Sequence, residues 1–153
     1  MSSELNRLRL DQTEKALAPY AALRGRSVPA GGWLKSIRES LGRSLRAQAT
    51  RMRISASTLL KSEAAEANDR ITLGQLRKLA DGLDCELVYA LVPREPLTAM
   101  VEKQAQRIAR RDVLGVAHSM DLEDQRPSDK FLQTQLAERQ RALLAGSWAR
   151  LWR

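Results

Sequence analysis

A chain of 153 residues, 43% hydrophobic and 29% charged, can bury one ordinary core as a water-soluble protein. One cysteine, Cys85, and one histidine, His118, exclude an intramolecular disulfide and a cysteine cluster for zinc, and leave thin means for nucleophilic catalysis. The net charge of +8 sits wholly in residues 24–61, where nine basic side chains face one acid, Glu39, and both flanking stretches are neutral.

Charge so concentrated is the electrostatic footprint of a phosphate backbone, because each neutralised phosphate releases a counterion. No apolar run approaches the ~18 residues that span a bilayer. The polar start, Met1 to Leu10, is unlike a secretory signal. The expectation is a cytoplasmic, nucleoid-associated, non-enzymatic protein with no cofactor, no metal and no membrane partner.

Residues 3–20 read as an amphipathic helix, with Leu5, Leu8, Leu17 and Tyr20 near helical spacing. Gly25 to Gly32, with Pro29, reads as a loop. A helix from Trp33 to Leu41 turns Leu34, Ile37 and Leu41 inward, and Gly42 stops it. A second runs from Leu45 to Met52, with the small Ala49 where crossing helices must approach. The turn Arg53-Ile54 leads to Ser55, which caps a third helix from Ala56 to about Glu63 with Leu59 inward. Thr72 caps a fourth, with Leu73, Leu76, Leu79, Ala80 and Leu83 inward.

Helix, short turn and capped helix is the order that sends the second helix of a pair into the major groove. On that reading Ala56, Ser57 and Lys61 meet base edges: Ala56 a thymine methyl, Ser57 a donor or acceptor, Lys61 guanine O6 and N7. Arg43, Arg46, Arg51, Arg53 and Thr58 lie near phosphates and position the protein without reading sequence.

Cys85 to Val92 changes period. Cys85, Leu87, Tyr89 and Leu91 alternate with Glu86, Val88, Ala90 and Val92, and Pro93 ends the run. This predicts one strand. Its backbone needs a partner, either the same strand of a second molecule or an irregular segment of its own chain. The first choice makes Leu87, Tyr89 and Leu91 part of a homodimer ribbon and matches a palindromic operator with half-sites ~34 Å apart or a multiple of that.

Leu97 to about Arg111 is helical, a shorter piece covers Val113 to Leu122, and 124–129 with Pro127 is a break. Asp129 caps a last helix, Lys130 to Leu144. In the tail, Trp148, Leu151 and Trp152 read either as a docking anchor or as the closure of a core. The layout is thus an N-terminal helix and loop over 1–31, a helix-turn-helix domain over 32–84, a strand over 85–93 and a helical region over 94–153.

The segment SLRAQATRMRISASTLLKSE, Ser44 to Glu63, resembles XRE-type (lambda-repressor-like) helix-turn-helix domains. The wider chain resembles the mobile mystery protein A family through GWLKSIRESLG at Gly32, ITLGQLRKLADGLDCELVYALVPREPL at Ile71, HSMDLEDQ at His118 and LLAGSWARLW at Leu143. That resemblance implies a mainly α fold with an XRE bundle, then one strand and C-terminal helices. It also implies a transcriptional regulator encoded beside a Fic-domain protein, the two resembling a toxin–antitoxin pair.

The chain departs from the XRE pattern in four places. Leu45 stands for a usual glutamine, Gln48 for a leucine, Arg53 for the turn glycine and Ser62 for a core apolar residue. Arg53 must therefore accept a positive φ or distort the turn.

Antitoxins of Fic enzymes often carry Ser or Thr, three residues, Glu, then Gly or Asn. Ser119 to Glu123 has that core, with Asp124 at the last place, but Ser62–Glu66, Thr98–Glu102 and Thr134–Glu138 share the spacing. Ser119 and Glu123 are candidate inhibitory residues, or ordinary surface groups. The alternative for the whole chain is a protein–protein module that neutralises a Fic partner with weak or no specific DNA binding.

Overall fold

The computed structural model describes residues 3–122 and 127–153, and every described element is helical. The expected inhibitory Glu123 and its neighbour Asp124 lie outside the described residues. The helices are α1 (Ser3–Leu17), α2 (Trp33–Ser40), α3 (Leu45–Arg51), α4 (Ala56–Ala67), α5 (Leu73–Asp81), α6 (Leu97–Leu122) and α7 (Asp129–Ala145). Short 3₁₀ turns follow α1 at Ala18–Leu23 and α7 at Trp148–Trp152.

The chain forms two units, residues 25–90 and residues 1–24 with 91–153. In the middle unit, α2 to α5 close on Leu34, Ala49, Leu59, Leu79 and Leu83, with Ile37, Leu45, Met52, Ile54, Ala56 and Leu76 packed around them. Ala49 is buried, as helices that approach closely require. Leu73 departs from expectation: it is 47% exposed, because the first helical residue after the Thr72 cap precedes the inward stripe.

In the other unit α6 packs against α7, α1 packs on α6, and the terminal turn contacts both long helices. Val101, Ala105, Ile108 and Leu151 are its core, flanked by Leu10, Leu143, Leu144 and Trp148. The N-terminal helix therefore belongs with the C-terminal region rather than with the loop that follows it. The tail closes this core: Leu151 is fully buried, its carbonyl accepts from Gln104 Nε2 at 2.6 Å, and Trp148 Nε1 donates to the Leu144 carbonyl at 2.9 Å. Trp152 stays exposed.

The third helix of the middle unit runs four residues past Glu63, to Ala67, and three further boundaries differ from the sequence reading, each for a local reason. The first helix stops at Leu17, since Pro19 lacks an N–H and its ring crowds the preceding turn. The pieces 97–111 and 113–122 are one helix of 26 residues. Nothing at Arg110–Val113 breaks a helix, and Gly115 costs only about 1 kcal/mol within one. The cap of α7 is Ser128, whose hydroxyl accepts from the Phe131 N–H at 3.2 Å, and Asp129 is already helical.

The expected strand over Cys85–Val92 does not form among the described residues. Cys85 N–H still bonds the Ala80 carbonyl as part of the α5 terminus, but the backbone of 86–92 makes no hydrogen bond among the described residues. A strand exists only through a ladder, and the described residues supply no second segment to complete one.

Candidate nucleic-acid interface

α3 and α4 are set by two matched caps. Ser44 accepts from the Ala47 N–H and Ser55 from the Thr58 N–H, both at 3.1 Å. Between them Arg53 takes φ +57°, the left-handed conformation that a glycine normally supplies at such a turn. The turn is not distorted: Ile54 N–H reaches back to the Ala49 carbonyl at 3.0 Å, and the Ile54 side chain packs on the core. Tertiary packing thus holds an arginine in a conformation that costs an L-residue roughly 1–2 kcal/mol.

On α4, Ser57, Thr58 and Lys61 are exposed. Ser55 links to both neighbouring hydroxyls, 3.1 Å to Ser57 Oγ and 2.7 Å to Thr58 Oγ1, which makes a small hydroxyl cluster at the helix start. Ala56 is half-buried against the core, so less of it is open than of Ser57 and Lys61.

The four arginines expected at phosphates are not equivalent. Arg46 and Arg53 are exposed and make no ion pair among the described residues. Arg51 is held by Asp84, its Nη2 lying 2.8 and 3.1 Å from the carboxylate oxygens. Arg43 donates to Gln48 Oε1 at 3.1 Å.

Gln48 explains its own departure from the leucine pattern. It is 1% exposed, accepts from Arg43, and donates through Nε2 to the Gly82 carbonyl at 2.7 Å. A buried amide satisfied on both sides avoids the desolvation cost of an orphaned polar group. It ties α3 to the end of α5.

Two acids on α4 went unseen in the sequence. Glu63 is buried and takes two hydrogen bonds from the buried Arg38, at 2.6 and 3.0 Å, while Arg38 Nη1 also donates to the Arg43 carbonyl at 2.9 Å. The Glu63 carboxylate raises the pKa of a guanidinium that is already always charged. Glu66 accepts from the Trp33 and Leu34 N–H groups, both at 2.9 Å, and so caps α2 from another helix. A Cβ at Gly32, which has φ +84°, would meet that carboxylate at 2.7 Å. These acids clamp α2 to α4. Their helical spacing with Leu59 gave a faint signal, but Glu at such positions usually reads as surface.

A groove of about 410 Å³ beside Lys61 is lined by Thr58, Arg70, Thr72 and Gln75 among others. Arg70 lies outside the basic run 24–61 and was not foreseen. It adds a cation on the same side of α4 as Lys61.

The remaining candidates stand apart from this surface in the sequence. Leu87 is half-buried, while Tyr89 and Leu91 are exposed. Ser119 is exposed on α6 and its hydroxyl donates to the Gly115 carbonyl at 3.2 Å. An apolar cavity of about 510 Å³ opens between the distal halves of α6 and α7, lined by Val113, Val116, Met120, Phe131 and Leu132 and edged by Asp112 and Arg139. No group of His, Cys, Asp and Glu among the described residues is arranged to hold a metal ion, and none of the described helices is long and apolar enough to cross a membrane.

Comparison with family models, curated proteins and solved structures gives no match for this chain.

Proposed function

We propose that this protein is a DNA-binding transcriptional regulator that lays α4 in the major groove of double-stranded DNA. One observation carries the reading: Ser57 and Lys61 lie exposed on a capped helix, flanked by the exposed Arg46 and Arg53, in the stretch that holds the whole net charge. In this reading Lys61 and Ser57 read base edges, with a smaller apolar contact from Ala56. Arg46, Arg53 and Thr58 hold phosphates, and Arg43 and Arg51 contribute once they exchange Gln48 and Asp84 for phosphate oxygens. The bundle of α2 to α5 is then an XRE-type domain, which the caps and the turn at Arg53 support. The protein acts at the nucleoid as a binding protein without catalysis of its own.

The resemblance to mobile mystery protein A extends the proposal: the regulator is the antitoxin and autorepressor of a Fic-domain toxin operon. A second reading draws on the engagement of Arg43 and Arg51 within the fold. With those two cations occupied, the chain serves as a module that neutralises a Fic partner, using Ser119 and the exposed apolar residues of α6 and α7, and binds DNA weakly.

Backbone NMR during titration with duplex from upstream of the protein's own gene separates the two. The DNA reading expects the largest shifts at Arg46, Ser57, Lys61 and Arg70. Shifts absent there would overturn it in favour of the partner-binding module.

A further inference from the structure

The segment from Glu86 to Val92 offers an unused backbone. Its N–H and carbonyl groups make no hydrogen bond among the described residues, and Val88, Tyr89 and Leu91 are exposed, Leu91 to 83%. Val88, Tyr89 and Val92 are β-branched or aromatic residues that fit a pleated edge, and such an edge pairs readily with another chain.

The sequence of the segment determines which partner fits and in what register. Residues 86 to 94 read Glu-Leu-Val-Tyr-Ala-Leu-Val-Pro-Arg. If two copies run antiparallel with Ala90 opposite Ala90, Glu86 lies opposite the second copy's Arg94, and Val88 opposite its Val92. On the other face Tyr89 lies opposite Leu91. Each pairing occurs twice across the twofold axis. Opposite charges and aromatic–aliphatic pairs directly across a ladder are the stabilising kinds. Glu86 and Arg94 are both exposed and make no ion pair among the described residues.

Pro93 gives an independent check on the phase. Directly opposed residues alternate between hydrogen-bonded and non-hydrogen-bonded pairs. With 86, 88, 90, 92 and 94 forming the bonded pairs, Pro93 falls at a non-bonded position, where its missing N–H would point away from the partner. Tyr89 and Leu91 then occupy a non-bonded pair, in which side chains approach most closely.

We infer that the protein is a homodimer joined by an antiparallel two-stranded ribbon of residues 86–94, centred on Ala90. The dimer presents two copies of α4 to a twofold site, as a palindromic operator requires, but its formation does not depend on DNA. It also leaves Cys85 of the two copies about 34 Å apart along the ribbon, at roughly 3.4 Å per residue, too far for a disulfide.

The test is sedimentation equilibrium of the full chain without DNA at micromolar concentration, with Glu86→Arg, Arg94→Glu and the double exchange. The expected result is a dimer that either single reversal weakens on the order of tenfold and the double exchange restores. A monomeric wild type overturns the inference, and so does a dimer indifferent to both reversals. Cysteine cross-linking in a Cys85→Ser background guards against a variant that misfolds. Ala90→Cys oxidises to a covalent dimer, whereas Leu87→Cys, about 20 Å from its counterpart, does not. Equal cross-linking at both positions overturns the register. None of these outcomes bears on DNA binding, which the titration above decides separately.

Discussion

Arg38 of α2 and Glu63 of α4 form a two-bonded ion pair that is buried on both sides, 6% and 4% exposed. Removing one partner leaves an uncompensated charge inside the bundle. Glu63→Leu is therefore expected to cost about 3–5 kcal/mol, while Arg38→Met with Glu63→Leu recovers most of that loss. Urea denaturation of the two variants measures it. Equal destabilisation by the single and the double would mean that packing, and not charge pairing, joins these helices.

Arg53 holds a positive φ of +57° in the α3–α4 turn. Arg53→Gly relieves that strain and is expected to stabilise the fold by roughly 1 kcal/mol. The same change removes a cation beside α4, so DNA affinity falls as stability rises. Thermal melting read together with a DNA titration checks the opposite signs. A variant that loses both would point to a packing role for the arginine stem.

Gln48 bridges Arg43 and the Gly82 carbonyl from a buried position. Gln48→Ala strands that carbonyl and is expected to destabilise the middle unit by about 1–3 kcal/mol. Hydrogen exchange should report the loss most strongly at the end of α5. Unchanged protection there would contradict the bridge.

Asp112 of α6 receives Nε and Nη2 of Arg139 of α7 at 3.0 and 2.8 Å. These bonds from Arg139, with a smaller contribution from Arg111, hold its carboxyl below the usual carboxylate range. A carboxyl lowered by folding stabilises the fold fully above its ordinary value, about 3.9, and loses that contribution as pH falls through the lowered value. The pair is partly exposed, so it is worth under about 1 kcal/mol. Asp112→Asn is expected to flatten the acid limb of the stability curve and to leave the curve's shape above pH about 5 unchanged. An acid limb of unchanged steepness would show that other carboxylates carry it.

The sequence disclosed the helices and the caps at Ser55 and Thr72, because apolar period and capping chemistry are local. It narrowed Arg53 to two outcomes for the same reason, a positive φ or a distorted turn, and the structure takes the first. Glu63, Glu66 and Gln48 stayed hidden because their partners, Arg38, the α2 terminus and Gly82, lie 25 to 34 residues away. An acid or amide paired at that range looks like any surface residue. The strand over 85–92 failed differently. Its alternation is real, but pairing is a property of two segments, and the described residues hold only one of them.

The central claim is that α4 and its basic flank bind DNA. The most direct measurement is the affinity of the purified protein for DNA upstream of its own gene and for a scrambled duplex, each across a salt series, with Arg46→Ala and Lys61→Ala alongside. The account predicts tight, operator-preferring binding that falls steeply with salt. Arg46→Ala should lower affinity for both duplexes and reduce the salt slope by about one, while Lys61→Ala should cost about 1–3 kcal/mol on the operator and narrow the preference. Binding no tighter to the operator than to the scrambled duplex, and indifferent to both substitutions, would contradict it.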